Sequence, residues 1–219
     1  MLPSFAELAA SDAPPLDQLA LSLAAEFRAV DVESAISELD ALGAEVSEAA
    51  ACTSGDPVAQ ARACAAVLAE SHGFIGDAGD YDEPDNSMLD RVLARRRGLP
   101  ILLSVVYVEV SRRAGIPLAA VGLPGHFVVG QLSADPPLLL DPFNGGLDLA
   151  PEMAVGSPRA WTPHEIAMRM LNNLVAAYQR RGDVGSALRA ATMRARLPAQ
   201  DGLKEALQVE LRSLQARLN

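Results

Sequence analysis

The stretch that decides the fold is GLPILLSVVYVEVSRRAGIP, residues 98–117. Proline at position 100 suits the first turn of an α-helix, where its missing N–H group loses no hydrogen bond. The apolar run after it predicts a helix over residues 101–114, which Gly115 ends with Pro117 behind it. Beyond Pro117 the periodicity changes from helical to extended.

Three short apolar runs follow this helix, at residues 118–123, 127–132 and 138–141. Pro-Gly, Asp-Pro-Pro and Asn-Gly-Gly bound these runs and are typical of turns. They predict an antiparallel meander packed on the preceding helix. Helical periodicity dominates the first seventy residues or so, and it returns from Pro163 as three amphipathic helices, with breaks at Gly182-Asp183 and residues 198–202. The sequence therefore predicts an α+β fold with a helical N-terminal part, a small antiparallel sheet and a helical C-terminus.

Composition restricts the classes of function. Lys and Arg number 18 against 28 Asp and Glu among 219 residues, a formal net charge of −10, which disfavours a nucleic-acid partner. The chain offers no signal peptide and no apolar run long enough to span a membrane. Its two cysteines, Cys52 and Cys64, form neither a metal-binding spacing nor a disulfide framework. We therefore expect a cytoplasmic protein with no membrane partner, no cofactor and no metal.

His126 and Asp141 are the strongest candidates for chemistry. His126 follows Pro124-Gly125 and opens one apolar strand, and Asp141 ends the next. Adjacent antiparallel strands could place both side chains on one face, where the carboxylate would orient the imidazole as in a catalytic dyad. The spacing equally allows a structural pair, with the histidine bonded to a loop carbonyl and the aspartate capping a turn. His72 and His164 are predicted to be surface or capping residues.

Taken together, these motifs resemble the transglutaminase-like (papain-like) core. In that superfamily Gly-x-Cys opens a helix that ends in an Arg-Ala-x-Gly-Ile-Pro-like turn, the histidine begins a strand, and the aspartate lies on the next. YDEPDNSMLDRVLARRRGLPILL (residues 81–103), with PGHF and DPFNGG, more closely resembles the SirB-type branch, which joins such a core to tetratricopeptide-like helices. The resemblance covers about residues 16–197. It implies an N-terminal helical part (1–80), a transglutaminase-like core (81–160) and tetratricopeptide-like helices (161–219).

The chain departs from the superfamily at the nucleophile. Aligning Gly98-Leu99-Pro100 on Gly-x-Cys puts Pro100 where the cysteine should be, and proline has neither a thiol nor an N–H group. Ser104 lies one turn later on the same helical face and could complete a Ser–His–Asp arrangement, or it could be a small packing residue. Cys64, in an alanine-rich helix, is expected to be buried, whereas Cys52 is expected to be exposed. A water activated by His126 and Asp141 is a further alternative.

The SirB-type segment contributes further candidates. Asn86 and Ser87 could form a turn and a helix cap, or Asn86 could offer its amide to a ligand. Ser87 and Asp90 have the spacing of a capping box for a helix ending at Arg97. The arginines at positions 91, 95, 96 and 97 are expected to be solvated, paired with the acidic loop at residues 77–85, or able to bind an acidic peptide or phosphate. The predicted ligand cleft comprises Asn86, Ser87, Pro100, Gly125 and Phe127.

The predicted function is that of a transglutaminase-like pseudoenzyme or regulatory protein. It would bind a peptide or protein partner in the cleft at His126 and Asp141 without forming a thioester. The alternative is an active hydrolase or acyltransferase that uses Ser104 or activated water with the His126–Asp141 dyad. A third hypothesis makes the dyad a feature of stability only. The C-terminal helices, which resemble a single tetratricopeptide repeat, are expected to pack on the core, with protein docking as the second possibility.

Overall fold

A computed structural model describes residues 2–150 and 157–217. Within these ranges the α-helices, labelled α1 to α9, are Phe5–Ala9, Leu16–Ala25, Val32–Ala51, Pro57–Ala66, Leu89–Arg95, Pro100–Arg113, Pro163–Arg180, Val184–Arg194 and Asp201–Ala216. The strands, labelled β1 to β6, are Ile75–Gly76, Arg97–Gly98, Ala119–Leu123, His126–Gln131, Leu138–Asp141 and Leu147–Asp148. Single 3-10 turns occupy Pro84–Ser87 and Pro142–Asn144, and a π-helical turn at Val67–Ser71 continues α4.

Side-chain caps determine where several helices begin. Asp31 precedes α3 and Asp56 precedes α4, and each carboxylate accepts hydrogen bonds from N–H groups of the first turn. Thr162 and Glu165 form a reciprocal capping box at the start of α7. These caps lie within the first seventy residues or so, where the sequence predicts helices.

Helix α6 is the centre of the core. Ten of its 14 residues are buried, and it contacts α2, α3, α4 and α5 as well as strands β3 and β4. It begins at Pro100 and ends before Gly115, whose φ of +73° suits glycine after a helix. One hydrophobic cluster runs through it from Phe5 in α1 to Leu214 in α9.

The main sheet is an antiparallel meander in the order β3-β4-β5-β6. Val129 of β4 pairs with Leu140 of β5, which brings the start of β4 beside the end of β5. The predicted meander and the α+β fold class are confirmed. Strands β1 and β2 form a separate parallel pair that the sequence did not predict, because two-residue strands carry no readable alternation.

A buried ionic cluster ties α6 to the N-terminal helices. The guanidinium of Arg113 lies 2.7 Å from Asp17, 2.7 Å from Glu109 and 2.6 Å from Asp40. The side chains of Asp17 and Glu109 are only 7% and 3% exposed. The exposed Arg112 also contacts Glu109, at 2.8 Å, and Asp17, at 3.6 Å, so the two buried carboxylates share two arginines, of which only Arg113 is largely buried.

The predicted C-terminal helices are present. Helices α7 and α8 pack against each other around the turn at Gly182, and α9 packs on α8. The buried guanidinium of Arg194 donates to Oδ1 of Asn172 in α7, at 2.7 Å, and pairs with Glu210 in α9 at 2.5 Å. These contacts join the three helices into one unit.

The helix predicted to open at Ser87 and to end at Arg97 is wrong at both ends. Helix α5 begins after Met88, which makes no side-chain cap, and Ser87 belongs to the preceding 3-10 turn. The left-handed conformation of Arg96 ends the helix, and Arg97 begins β2. The capping-box spacing was misleading because the chain is already turning at Pro84–Ser87, so Ser87 cannot take the extended conformation of a cap.

Candidate active site

His126 and Asp141 meet where β4 begins and β5 ends. Nε2 of His126 lies 2.8 Å from Oδ2 of Asp141. The imidazole is 32% exposed, whereas the carboxylate is 6% exposed. His126 and Asp141 are therefore in contact, as the spacing of their strands allows. With the carboxylate at Nε2, the neutral imidazole holds its proton there and presents the lone pair of Nδ1.

The carboxylate of Asp141 is fixed by the turn that follows it. Its Oδ1 accepts hydrogen bonds from the backbone N–H of Phe143 at 3.0 Å and of Asn144 at 3.3 Å. Its Oδ2 accepts a second bond, at 2.8 Å, from the side-chain amide of Asn144. The backbone carbonyl of Asp141 accepts from Gly146 at 2.7 Å. The carboxylate therefore holds the imidazole in one orientation.

The start of α6 lies beside this turn. The turn Pro142–Asn144 packs on α6, and the ring of Phe143 covers Gly76 so closely that a Cβ there would lie 2.3 Å from the ring. Gly76 pairs with Gly98, two residues before Pro100. Strand β2, which leads into α6, is thus linked through Gly76 to the turn that follows Asp141.

The hydroxyl of Ser104 is engaged inside its own helix. Its Oγ donates to the backbone carbonyl of Pro100 at 2.8 Å, and the residue is 0% exposed. Among the described residues, no hydrogen bond joins Ser104 to His126. The structure therefore places Ser104 on the predicted face but does not connect it to the imidazole.

The two cysteines differ in exposure, as expected. Cys64 is 0% exposed, and burial raises the pKa of its thiol to about 12. Such a thiol stays protonated at neutral pH and is a poor nucleophile. Cys52 is exposed and follows the last residue of α3.

Tyr107 of α6 is also buried, and its hydroxyl lies next to Gly146 in the turn after β5. Burial, with smaller contributions from Cys64 and Asp141, raises the pKa of this hydroxyl.

Three of the predicted cleft residues lie inside the protein. Asn86 is 0% exposed, donates from its amide to the carbonyl of Asp80 at 2.8 Å and accepts from Arg95 at 3.2 Å. Ser87 is 1% exposed, and Phe127 is 5% exposed with its ring edge-on to Trp161 at a centroid distance of 5.1 Å. All three side chains are buried, and their role as ligand contacts stays a prediction.

The remaining predicted cleft residues flank the pair. Gly125 is exposed and has a φ of +72°, which allows the tight turn from β3 into His126. Pro100 begins α6, and the N–H groups of Ile101 and Leu102 have no acceptor within the described residues, as is usual in the first turn of a helix. Both residues are buried, with 1% and 0% exposure, so these N–H groups lie inside the protein.

The basic stretch is largely occupied by internal contacts. Arg96 pairs with Glu38 and lies over the ring of Phe74, 4.7 Å from its centroid. Arg97 is exposed and has no ion-pair partner within residues 2–150 and 157–217. The expected pairing with the acidic loop involves Arg91 with Asp85, at 2.7 Å, and Arg95 with Asp77, at 3.0 Å. An acidic ligand would have to displace these carboxylates.

Two aromatic residues at the site were missed by sequence reasoning. Tyr81 is 49% exposed, and its ring lies edge-on to that of Phe143 with the centroids 6.2 Å apart. Each residue lies in a motif that the sequence analysis singled out, around residue 81 and at DPF, residues 141–143. No signal in the sequence indicates that the two rings meet, because 61 residues separate them.

Other features of the described chain lie away from the pair. A cavity of about 910 Å³ is lined by residues such as Val58, Pro137 and Leu149 and by neither His126 nor Asp141. Within the ranges described, no cluster of three His, Cys, Asp or Glu side chains could hold a metal ion. None of the described helices is both long and apolar enough to cross a bilayer. His72 pairs with Glu45 at 2.7 Å near the surface.

A family model described as the transglutaminase-like superfamily matches residues 33–172, which include α6, the whole sheet, His126 and Asp141. The chain belongs to the transglutaminase-like superfamily. No solved structure matches this transglutaminase-like chain.

Similar proteins fall into two groups. A UPF0162 protein of Pseudomonas aeruginosa is 30% identical over 201 residues, which cover 83% of this transglutaminase-like chain and 72% of the relative. A UPF0162 protein of Xylella fastidiosa is 47% identical over 85 residues, 39% of this chain and 30% of the relative. F-box only protein 21 of Mus musculus is 40% identical over 63 residues, 29% of this chain and 10% of that protein. The chain thus matches less than a third of the length of the last two relatives.

Proposed function

We propose that this transglutaminase-like protein lacks the catalytic cysteine of its superfamily and binds a peptide segment of a protein partner at the His126–Asp141 site. Pro100 would stand in the place of the cysteine. In this proposal the chain belongs to the SirB-type branch and acts in the cytoplasm, with residues 1–80 as the helical part, 81–160 as the core and 161–219 as tetratricopeptide-like helices.

The absence of a placed nucleophile favours binding over turnover. Pro100 has no reactive group, and the hydroxyl of Ser104 donates to a carbonyl of its own helix. The thiol of Cys64 is buried and protonated at neutral pH. An activated serine or cysteine would need a general base within hydrogen-bond reach, and among the described residues no hydrogen bond joins His126 to Ser104 or to either cysteine.

The site nevertheless offers a hydrogen-bond acceptor for a peptide group. Nδ1 of His126 can accept a hydrogen bond from a peptide N–H, because the proton of the neutral ring is held at Nε2. The observation that carries the proposal is the four-bond anchoring of Asp141, which keeps Nδ1 available.

Selection from a phage-displayed library of random 12-residue peptides tests this binding function. Peptides selected on the wild-type protein should bind His126→Ala at least tenfold more weakly, and His72→Ala with unchanged affinity. His72 is the matched control because it is also paired with a carboxylate, Glu45, near the surface. Failure to select any peptide, or equal affinity for both variants, would contradict the proposal.

Intact-protein mass spectrometry separates binding from catalysis. We expect iodoacetamide to label Cys52 slowly and equally in wild type and His126→Ala. We also expect a fluorophosphonate to give no adduct at Ser104. A rapid adduct at Ser104 or at either cysteine that disappears in His126→Ala would establish the alternative, an active hydrolase or acyltransferase.

A further inference from the structure

We propose that Tyr81 and Phe143 form an aromatic subsite that receives a large aliphatic side chain of the bound peptide. The inference rests on the proposed function, because it concerns the same site. The starting observation is that Tyr81 and Leu147 are two of the large apolar residues exposed on the described surface, and both lie beside the turn that carries Asp141.

The position of Phe143 links this subsite to the His126–Asp141 pair. Its backbone N–H donates to Oδ1 of Asp141, so the ring is attached to the residue that orients the imidazole. Beneath the ring lies Gly76, where any side chain would collide with it. A side chain entering next to Tyr81 would therefore contact an aromatic ring fixed two residues from the carboxylate.

Tyr81 is held in place although half of it is exposed. The guanidinium of Arg180 contacts Asp82, the next residue, at 2.5 Å. Arg181 contacts Asp80, the preceding residue, and Glu83, each at 2.9 Å. Helix α7 thus fixes the loop on both sides of the ring. An aromatic side chain that is ordered before binding loses little conformational entropy when a ligand arrives.

The charges around Tyr81 favour an uncharged side chain in the ligand. The three acidic residues next to the ring are each within ion-pair distance of Arg180 or Arg181, so little net charge remains at the rim. Leu147, 66% exposed and paired with Asp141 in the sheet register, adds an aliphatic surface on the strand beside the turn. Two rings and a leucine around a nearly neutral rim are complementary to leucine or a residue of similar size.

Two small probes test the subsite without any selected peptide. N-acetyl-L-leucinamide and N-acetylglycinamide share the peptide groups and differ in the side chain. Both are titrated into the protein, and the backbone amide signals of Phe143 and Asn144 are followed by NMR. We expect the leucine probe to bind about tenfold more tightly, as burial of a leucine side chain between aromatic rings allows.

Substitutions test whether Tyr81 is responsible for the preference for the leucine probe. Tyr81→Ala should reduce the leucine-to-glycine ratio to about one, whereas Tyr81→Phe and Leu203→Ala, an exposed apolar residue of α9, should leave it unchanged. A ratio near one in the wild type, a ratio that survives Tyr81→Ala, or no binding of either probe would overturn the aromatic subsite. If glycine and leucine probes bind equally and both are lost in His126→Ala, the subsite fails while the binding function stands. The phage selection decides that function independently.

Discussion

Replacement of Pro100 by cysteine tests whether the start of α6 and the His126–Asp141 pair form one site. If Pro100 occupies the position of the superfamily's nucleophile, a thiol placed there lies at a helix N-terminus close to an imidazole. Both features stabilise a thiolate. The contact of Phe143 with Gly76, which pairs with Gly98, supports this placement.

The expected effect is largest in mildly acidic solution. At pH 6 an ordinary thiol with a pKa of about 8.5 is roughly 0.3% thiolate, whereas a thiol with a pKa of about 6 is roughly half thiolate. The thiolate fraction is thus about 150-fold larger for the second thiol. Its effect on the rate is reduced about tenfold, because the intrinsic nucleophilicity of a thiolate falls with its pKa at a Brønsted slope of about 0.45. We therefore expect Pro100→Cys to react with iodoacetamide about ten times faster at pH 6 than an ordinary exposed thiol.

Intact-protein mass spectrometry between pH 5 and pH 9 measures these rates. Cys52 is exposed and serves as the ordinary thiol, and Cys52→Ser in a second preparation assigns the labelled position. Adding His126→Ala to Pro100→Cys should remove the acceleration at pH 6. The reasoning is refuted if the thiol at position 100 reacts at the rate of Cys52 at every pH, or if its pH profile is the same with and without His126.

Three further predictions concern stability. Burial raises the pKa of Cys64 from an ordinary value of 9.0 to about 12, so between these pH values the folded protein keeps a proton that the unfolded chain loses. The contribution of this thiol to the free energy of unfolding is therefore constant below about pH 9 and decreases as the pH rises toward 12. Chemical denaturation of Cys64→Ala should show a decline shallower by about 1.4 kcal/mol per pH unit over that range. Arg113→Ala should lower the free energy of unfolding by about 3 kcal/mol, the low end for a broken buried ion pair, since it leaves Asp17 and Glu109 with only the exposed Arg112, and no loss would contradict that role. Gly122→Ala should lower the melting temperature, because its Cβ would lie 2.1 Å from the indole of Trp161, whereas Gly202→Ala, with nothing within 4 Å, should not.

The elements that the sequence predicts well are those with local signals. Helix α6 has a proline at its first position and a glycine after its end, and both boundaries agree with the structure to within one residue. The strands around His126 are bounded by glycine and proline turns and are likewise close to their predicted limits. The failure at Ser87 has a local cause as well, since a 3-10 turn and a capping box share the same residue types.

The surroundings of the site depend on contacts between distant segments. Arg180 contacts Asp82, 98 positions earlier in the sequence, and Phe143 contacts Tyr81, 62 positions earlier. The sequence shows that the chain contains many arginines, carboxylates and aromatic rings. It does not show which arginine pairs with which carboxylate, or which rings are in contact. The sequence could therefore indicate His126 and Asp141, whose strands are adjacent, but not the aromatic wall beside them.

The His126–Asp141 pair can contribute both to stability and to peptide binding, because the two carboxylate oxygens of Asp141 have different hydrogen-bond partners. Oδ1 accepts from the backbone N–H groups of Phe143 and Asn144, whereas Oδ2 accepts from His126 and from the side-chain amide of Asn144. Asp141→Asn can keep the hydrogen bonds that Oδ1 makes with the turn, because the amide oxygen of asparagine still accepts from the N–H groups of Phe143 and Asn144. Its amide group would then donate to Nε2 of His126, which moves the imidazole proton to Nδ1 and turns the acceptor at the surface into a donor.

We therefore expect Asp141→Asn to lower the melting temperature only modestly but to weaken peptide binding at least tenfold. Asp141→Ala should affect both, because the N–H groups of Phe143 and Asn144 lose their acceptor. Thermal melts and titrations of the selected peptides separate the two effects. If Asp141→Asn alters the melting temperature while binding stays at the wild-type level, the pair serves stability alone. A loss of binding without a comparable loss of stability means that the direction of the His126–Asp141 hydrogen bond is itself part of recognition.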